Sequence, residues 1–323
     1  MSAGFIRYVC RRLVYMVFTL WIIATLIFVI VRATPGDPTA YLIDPTFPAN
    51  VKHQLIASFG LDTSVFHQYL LYLKNLAMGD LGRSFFYQQP VVAVLGRKLA
   101  NTAILAVASF VIAYGLGIVG GVLLARVRGS RIDGIASVAI LLLRSAPVFW
   151  TGIIALIIFS FRLNWVPYGG MRTPGYSGST YFTVDFLRHL VLPAVVTGLY
   201  YLALPLLLVR SAMIEILDED FMELARAKGL SPRRILYKHG LRNSLLPVVT
   251  EAAVYVGSAL GGVAVVEVVF SWPGLGREIV LALTRHDYPV ATGAFVMLAL
   301  CVCAMNFLAD LLYGYLDPRV TSV

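Results

Sequence analysis

The chain has 323 residues and a formal net charge of +9. Hydrophobic residues make up 59% and charged residues 13%, with mean hydropathy +0.80. A soluble domain carries about twice that charged fraction, so a pair of soluble domains is excluded. An all-α, polytopic membrane protein is expected instead.

Six apolar runs reach the roughly 20 residues needed to cross a bilayer. The first, residues 13–31, follows Arg7, Arg11 and Arg12. Its length exceeds the apolar core of a signal peptide and no clear small-residue cleavage site follows, so it reads as an uncleaved helix. An insertion, 32–98, opens with the turn cluster Pro35-Gly36-Asp37-Pro38. Helical patterns follow near 49–59 and 64–76, then Gly79-Asp80-Leu81-Gly82-Arg83-Ser84-Phe85. The second span is 99–125. The third, 134–161, is interrupted by Arg144, and Pro147 is expected to bend it. The fourth, 190–209, contains Pro193 and Pro205. The fifth, 245–270, holds Glu251 and Glu267, and the sixth is 290–309. The divisions are 1–31 (amino terminus and first helix), 32–98 (insertion) and 99–323 (helical core with a basic loop at 210–247).

Lys and Arg concentrate in alternate loops: Arg7, Arg11 and Arg12; Arg126, Arg128 and Arg131; then the stretch 218–247. The bias predicts cytoplasmic termini, a cytoplasmic 218–247 loop and an external insertion. It also accounts for the net charge, together with attraction to anionic membrane lipid, so nucleic acid is not called for. Cys10, Cys301 and Cys303 offer no external disulfide.

The loop 218–247 reads as two short helices. Phe221, Leu224, Ala225 and Lys228 share one narrow face. Gly229 is placed to stop the first helix with positive φ. Ser231-Pro232 restarts the chain as N-cap and first helical residue. Gly240 is expected to end the second helix, and Asn243-Ser244 to cap the next span. A stripe of Phe221, Leu224 and Ala225 outside the bilayer is expected to be buried in a groove. The membrane surface or this protein's own helix ends could bury it instead; the small residues Ala225, Ala227 and Gly229 favour a close protein contact over lipid.

Charges inside the spans are costly unless paired or wet. Arg144 lies about 16 Å into its helix at 1.5 Å per residue. Arg144 and Glu251 are expected either to pair or, with Pro147, Glu267 and Trp272, to line a wet path that meets a solute's charged ends. No Gly-Lys-Ser/Thr and no His-Glu-x-x-His occurs. A G-x-G-x-x-G at Gly115, Gly117 and Gly120 lies inside a spanning helix, so it reads as helix packing, as do Gly117/Gly121 and Gly257/Gly261. The five histidines, scattered over loops and both faces, argue against a membrane enzyme.

Glu223-Leu224-Ala225 followed by Gly229 resembles the Glu-Ala-Ala-x-x-x-Gly pattern of ATP-binding-cassette importer permeases, with Leu224 replacing the second Ala. Four further runs resemble the dipeptide/oligopeptide/nickel branch of that family: Pro35–Pro38, the run 60–73, the run 79–85 and Pro90-Val91. So do the run 270–276 and Leu316-Asp317-Pro318-Arg319. The resemblance implies one half of a pore with six spanning helices. A second permease, two cytoplasmic ATP-binding subunits and an extracytoplasmic solute-binding protein complete it. ATP and Mg belong to the ATPase subunits, and this chain binds no cofactor or metal. The loop residues Phe221, Glu223, Leu224, Ala225, Ala227, Gly229 and Ser231 would couple ATPase motion to alternating access in a prokaryotic cell membrane. A self-sufficient secondary transporter or channel is the alternative, although no repeat relates the two halves.

Overall fold

In lipid, backbone polar groups are satisfied within helices, and long runs of Leu, Ile, Val and Ala give helices here. The computed structural model describes residues 3–33, 63–176 and 181–316. The turn at 35–38, the pattern at 49–59 and the motif's Asp317, Pro318 and Arg319 lie outside them.

Helix α1 (Ala3–Ala33) runs along α12 (Tyr288–Leu316). Arg12 pairs with Asp310 at 3.1 Å across that seam. Helix α2 (Val65–Ala77) starts where the sequence predicts: the Ser64 hydroxyl accepts the His67 amide at 3.3 Å. Helix α3 (Val91–Arg126) starts eight residues before the predicted second span, directly after Pro90. The insertion therefore ends inside a helix, whose polar first turns carry Arg97 and Lys98. Segment 79–90 is fastened to the α12 start. Asp287 accepts from the Ser84 hydroxyl and from the Phe85 and Phe86 amides, at 2.5, 3.2 and 3.1 Å. Burial and a hydrogen bond donated to Glu278 raise the pKa of the nearby Tyr87 phenol.

The predicted third span is broken rather than bent. Helix α4 (Arg131–Ser145) and helix α5 (Val148–Ala155), which continues as a π-helical turn through Arg162, meet at 95°. Ala146 and Pro147 are extended, with ψ 134° and 133°. Proline lacks the amide for the helical ladder and drives the preceding residue out of the α region. The fourth span is bent too: α6 (Val184–Tyr201) and α7 (Ala203–Leu217) meet at 44°, where Pro205 withholds the amide that would bond to the Tyr201 carbonyl.

Helix α8 (Asp220–Ala227) precedes α9 (Pro232–Arg234). From α9 the helix is continuous through π-helical Ile235–Leu241 into α10 (Arg242–Val269). This corrects the expectation that Gly240 stops a helix and Asn243-Ser244 caps another. Gly240 has no positive φ, and a Cβ there would lie 3.1 Å from Met213 Cε. Gly240 thus serves helix packing. The Asn243 amide and the Ser244 hydroxyl donate back to His239 and Leu241 carbonyls at 2.9 and 3.0 Å. Helix α11 (Leu275–Thr284) completes the fold.

The core sits around α3, packed between α6, α7 and α10. Leu105, Phe186, Val263 and Trp272 fill one half; Val122, Val209, Met213 and Tyr255 fill the other. Gly117 and Gly121 allow the approach. A Cβ at 121 would lie 2.6 Å from Val209 Cβ, and one at 117 would lie 3.0 Å from Pro205 Cγ. The packing reading of that pair holds. For the second pair, Gly261 faces open space and Gly257 lies outside the described side chains. The close approach is made at Gly262, against the Tyr201 hydroxyl.

Candidate functional site

Two sites carry the residues singled out from sequence. The first is the loop after α7. Its helix α8 ends as expected on Gly229, which has φ 72°. The Gly229 amide donates to Arg226 O at 2.9 Å and the Leu230 amide to Ala225 O at 3.3 Å, the paired bonds of a Schellman motif. Ser231 occupies the N-cap position with Pro232 behind it, but its hydroxyl makes no capping bond.

The apolar stripe divides in two. Ala225 packs inward with Met222 and Ile235, and Leu217 and Leu230 close over them. Phe221 and Leu224 point away, 43% and 56% exposed. Glu223, Ala227, Gly229 and Ser231 are exposed as well. Ala225 is therefore part of the loop's own small core, separate from Phe221 and Leu224 with which the sequence grouped it. Met222, fully buried, was missed because it lies off the stripe read from sequence. One fork ties the start of the loop to the bundle, and a second joins α7 to α4. Arg128 donates to both Asp218 oxygens at 2.6 and 2.8 Å. Arg210 donates twice to Asp133, at 2.6 Å each. The Arg128 bonds hold the Asp218 carboxyl below the usual carboxylate range.

The second site is inside the bundle. Glu267 and Trp272 are fully buried. The Thr102 hydroxyl donates to Glu267 at 2.5 Å, and the Arg277 amide donates at 3.1 Å. Thr102 also accepts the Leu275 amide at 2.8 Å. The Trp272 indole donates to Asn101 O at 2.9 Å. These two residues hold the α10–α11 turn against α3. They do not border open space in this chain, contrary to the expected path.

Arg144 and Glu251 do not pair. Arg144 is exposed beside the Ala146–Pro147 break. Its guanidinium lies 5.3 Å from the Tyr200 ring centre, and Nη1 reaches Tyr200 O only at 3.5 Å. Glu251, half-buried, accepts a hydrogen bond from the Tyr114 hydroxyl. A row of rings adjoins both charges: Tyr200 to Tyr201 is 5.0 Å, Tyr201 to Tyr255 is 4.7 Å, and Tyr255 to Tyr114 is 5.7 Å. Aromatics on three helices have no common sequence spacing. The signal available was Tyr200-Tyr201 at the predicted depth of Arg144.

Residues 117–322 match the family described as binding-protein-dependent transport system inner membrane component, and residues 5–106 match the N-terminal membrane component of the same system. The chain belongs to this family. It is a permease component of an ATP-binding-cassette importer and not an enzyme. The permease is 37% identical to the di/tripeptide transport system permease protein DppB of Pseudomonas aeruginosa, over 98% of each chain. It is 38% identical to the oligopeptide transport system permease protein AppB of Bacillus subtilis, over 97% of this chain and 98% of that one. Identity to the glutathione transport system permease protein GsiC of Escherichia coli O6:H1 is 33%, over 98% and 99%. Membership implies partner ATPase and solute-binding proteins for this permease and a place in the inner membrane. Its bent helix pairs have mean hydropathy high enough to count among the spans. A buried cation or acid at that depth costs ~2.5–3.5 kcal/mol unless it is paired or wet. In the permease, Glu267 meets that demand with hydrogen bonds inside the chain, whereas Arg144 has no carboxylate within ion-pair distance among the described residues.

Proposed function

We propose that this permease forms half of a pathway importing di- and oligopeptides or peptide-like solutes, delivered by an extracytoplasmic binding protein. A second, homologous permease chain forms the other half. Two ATP-binding subunits, which hold ATP and Mg, dock on the cytoplasmic face. Six crossings are counted: α1, α3, α4–α5, α6–α7, α10 and α12. Both termini and α8 lie inside, and the 32–98 insertion lies outside, following the Lys and Arg bias.

The observation that carries the reading is α8 itself. It is a short helix, pinned from behind by Met222 and Ala225, that leaves Phe221 and Leu224 open. Apolar side chains held outward on a rigid helix fit a helix-in-groove contact. Arg144, Pro147 and Glu251 remain the pathway residues of this proposal. Glu267 and Trp272 are assigned to holding the outer turn.

The test is uptake in proteoliposomes containing the two permeases and the ATP-binding subunits. Labelled tripeptide should enter only with loaded binding protein on one face and ATP on the other. A thiol reagent should reach Ser231→Cys from the ATP face alone. Uptake driven by a proton gradient without ATP would instead support a self-sufficient transporter.

A further inference from the structure

The two charges in the bundle are held unequally. Glu251, half-buried, has one carboxylate oxygen taken by the Tyr114 hydroxyl. Arg144 lies over Tyr200, its guanidinium carbon 5.3 Å from the ring centre, and the residue is exposed. Its one hydrogen bond among the described residues, to Tyr200 O, is long at 3.5 Å. A guanidinium stacked on an aromatic ring keeps the coplanar N–H groups that match a carboxylate bidentately. A cation at this depth faces a wet cavity or another chain rather than lipid. The break at Ala146–Pro147, one residue beyond Ser145, fixes where α4 ends and so where the guanidinium sits. Tyr200 and Tyr201, set at 82° to each other, give an adjoining wall with apolar faces.

From this asymmetry we infer that the permease reads an anionic end of its solute within the membrane. The C-terminal carboxylate of a peptide is bound by Arg144, and the peptide body lies on Tyr200 and Tyr201. This rests on the peptide-importer reading above, and it adds a point of selection separate from the binding protein.

The probes are trialanine and trialanine amide, each supplied on the binding protein to proteoliposomes of the complete importer. Uptake is corrected for binding-protein occupancy. The wild-type importer is expected to favour the carboxylate form by about tenfold or more, because an amide leaves the guanidinium unpaired. Arg144→Gln is expected to slow trialanine uptake and bring the ratio close to one. Arg144→Lys, which keeps the charge without the fork, should keep a reduced preference. The wild-type ratio in Arg144→Gln would overturn the inference. Loss of the second permease from the purified Arg144→Gln complex would also overturn it, by assigning the guanidinium to the chain interface. If the wild-type importer takes up neither peptide while ATP hydrolysis still responds to the binding protein, the peptide reading itself fails and the inference with it.

Discussion

Glu267 is a buried acid whose carboxylate is held by donors from its own chain, the Thr102 hydroxyl and the Arg277 amide. Gly274 and Gly276 permit this, since a Cβ at either would collide with the Glu267 carboxylate or with Ala264. The charge was legible in the sequence. Its partner was not, because Thr102 lies 165 positions away and a Thr in an apolar run carries no mark of its role. The same holds for Arg144, for which pairing with Glu251 was one of two expectations and which instead lies over Tyr200. At this scale Thr102→Val is expected to destabilise the permease by ~2–4 kcal/mol, since it removes a hydroxyl that donates to a buried acid and accepts the Leu275 amide. Thr102→Ser should stay close to wild type. The check is the thermal unfolding midpoint of the purified complex, and an unchanged midpoint in Thr102→Val would contradict the assignment.

Among the elements, the apolar runs foretold the order of the long helices, while the joints between them followed tertiary contacts. Pro147 broke its helix as proline chemistry requires, and Gly229 ended α8 with the expected φ. Gly240, the same residue type, ended nothing, because Met213 packs where its side chain would be. A glycine stop signal and a glycine packing notch look alike in a sequence. The forks Arg128–Asp218 and Arg210–Asp133 join the α3–α4 turn to α7 and to the start of α8. They tie α4 and the preceding turn to α7, which leads into α8, and α4 ends at the Ala146–Pro147 break beside Arg144. Arg210→Gln and Asp133→Asn are each expected to weaken the stimulation of ATP hydrolysis by loaded binding protein. Arg210→Asp combined with Asp133→Arg should recover part of it, as coupled neighbours do in a double-mutant cycle. Strictly additive losses would show that the forks do not transmit motion.

For the molecule as a whole, membership in the importer family matches what the loop and insertion motifs implied. The division of α8 into two faces was not legible. Periodicity grouped Phe221, Leu224 and Ala225, but only packing shows that Ala225 faces Met222 and Ile235 while its neighbours face out. Ala225→Asp would therefore damage the loop itself. Gly229→Val would add a left-handed strain of ~1–2 kcal/mol, although a Cβ there meets nothing within 4 Å. Leu224→Asp separates docking from folding, because Leu224 is 56% exposed. The central claim is that this outward face couples the permease to its ATP-binding subunits. It is tested most directly by purifying the Leu224→Asp complex and measuring ATP hydrolysis with and without loaded binding protein. The expected result is wild-type thermal stability of the permease with stimulation reduced about tenfold or more, or with the ATP-binding subunits lost, as for a central interface anchor. Full subunit content with wild-type stimulation and uptake would contradict the account and reduce α8 to a basic cytoplasmic loop.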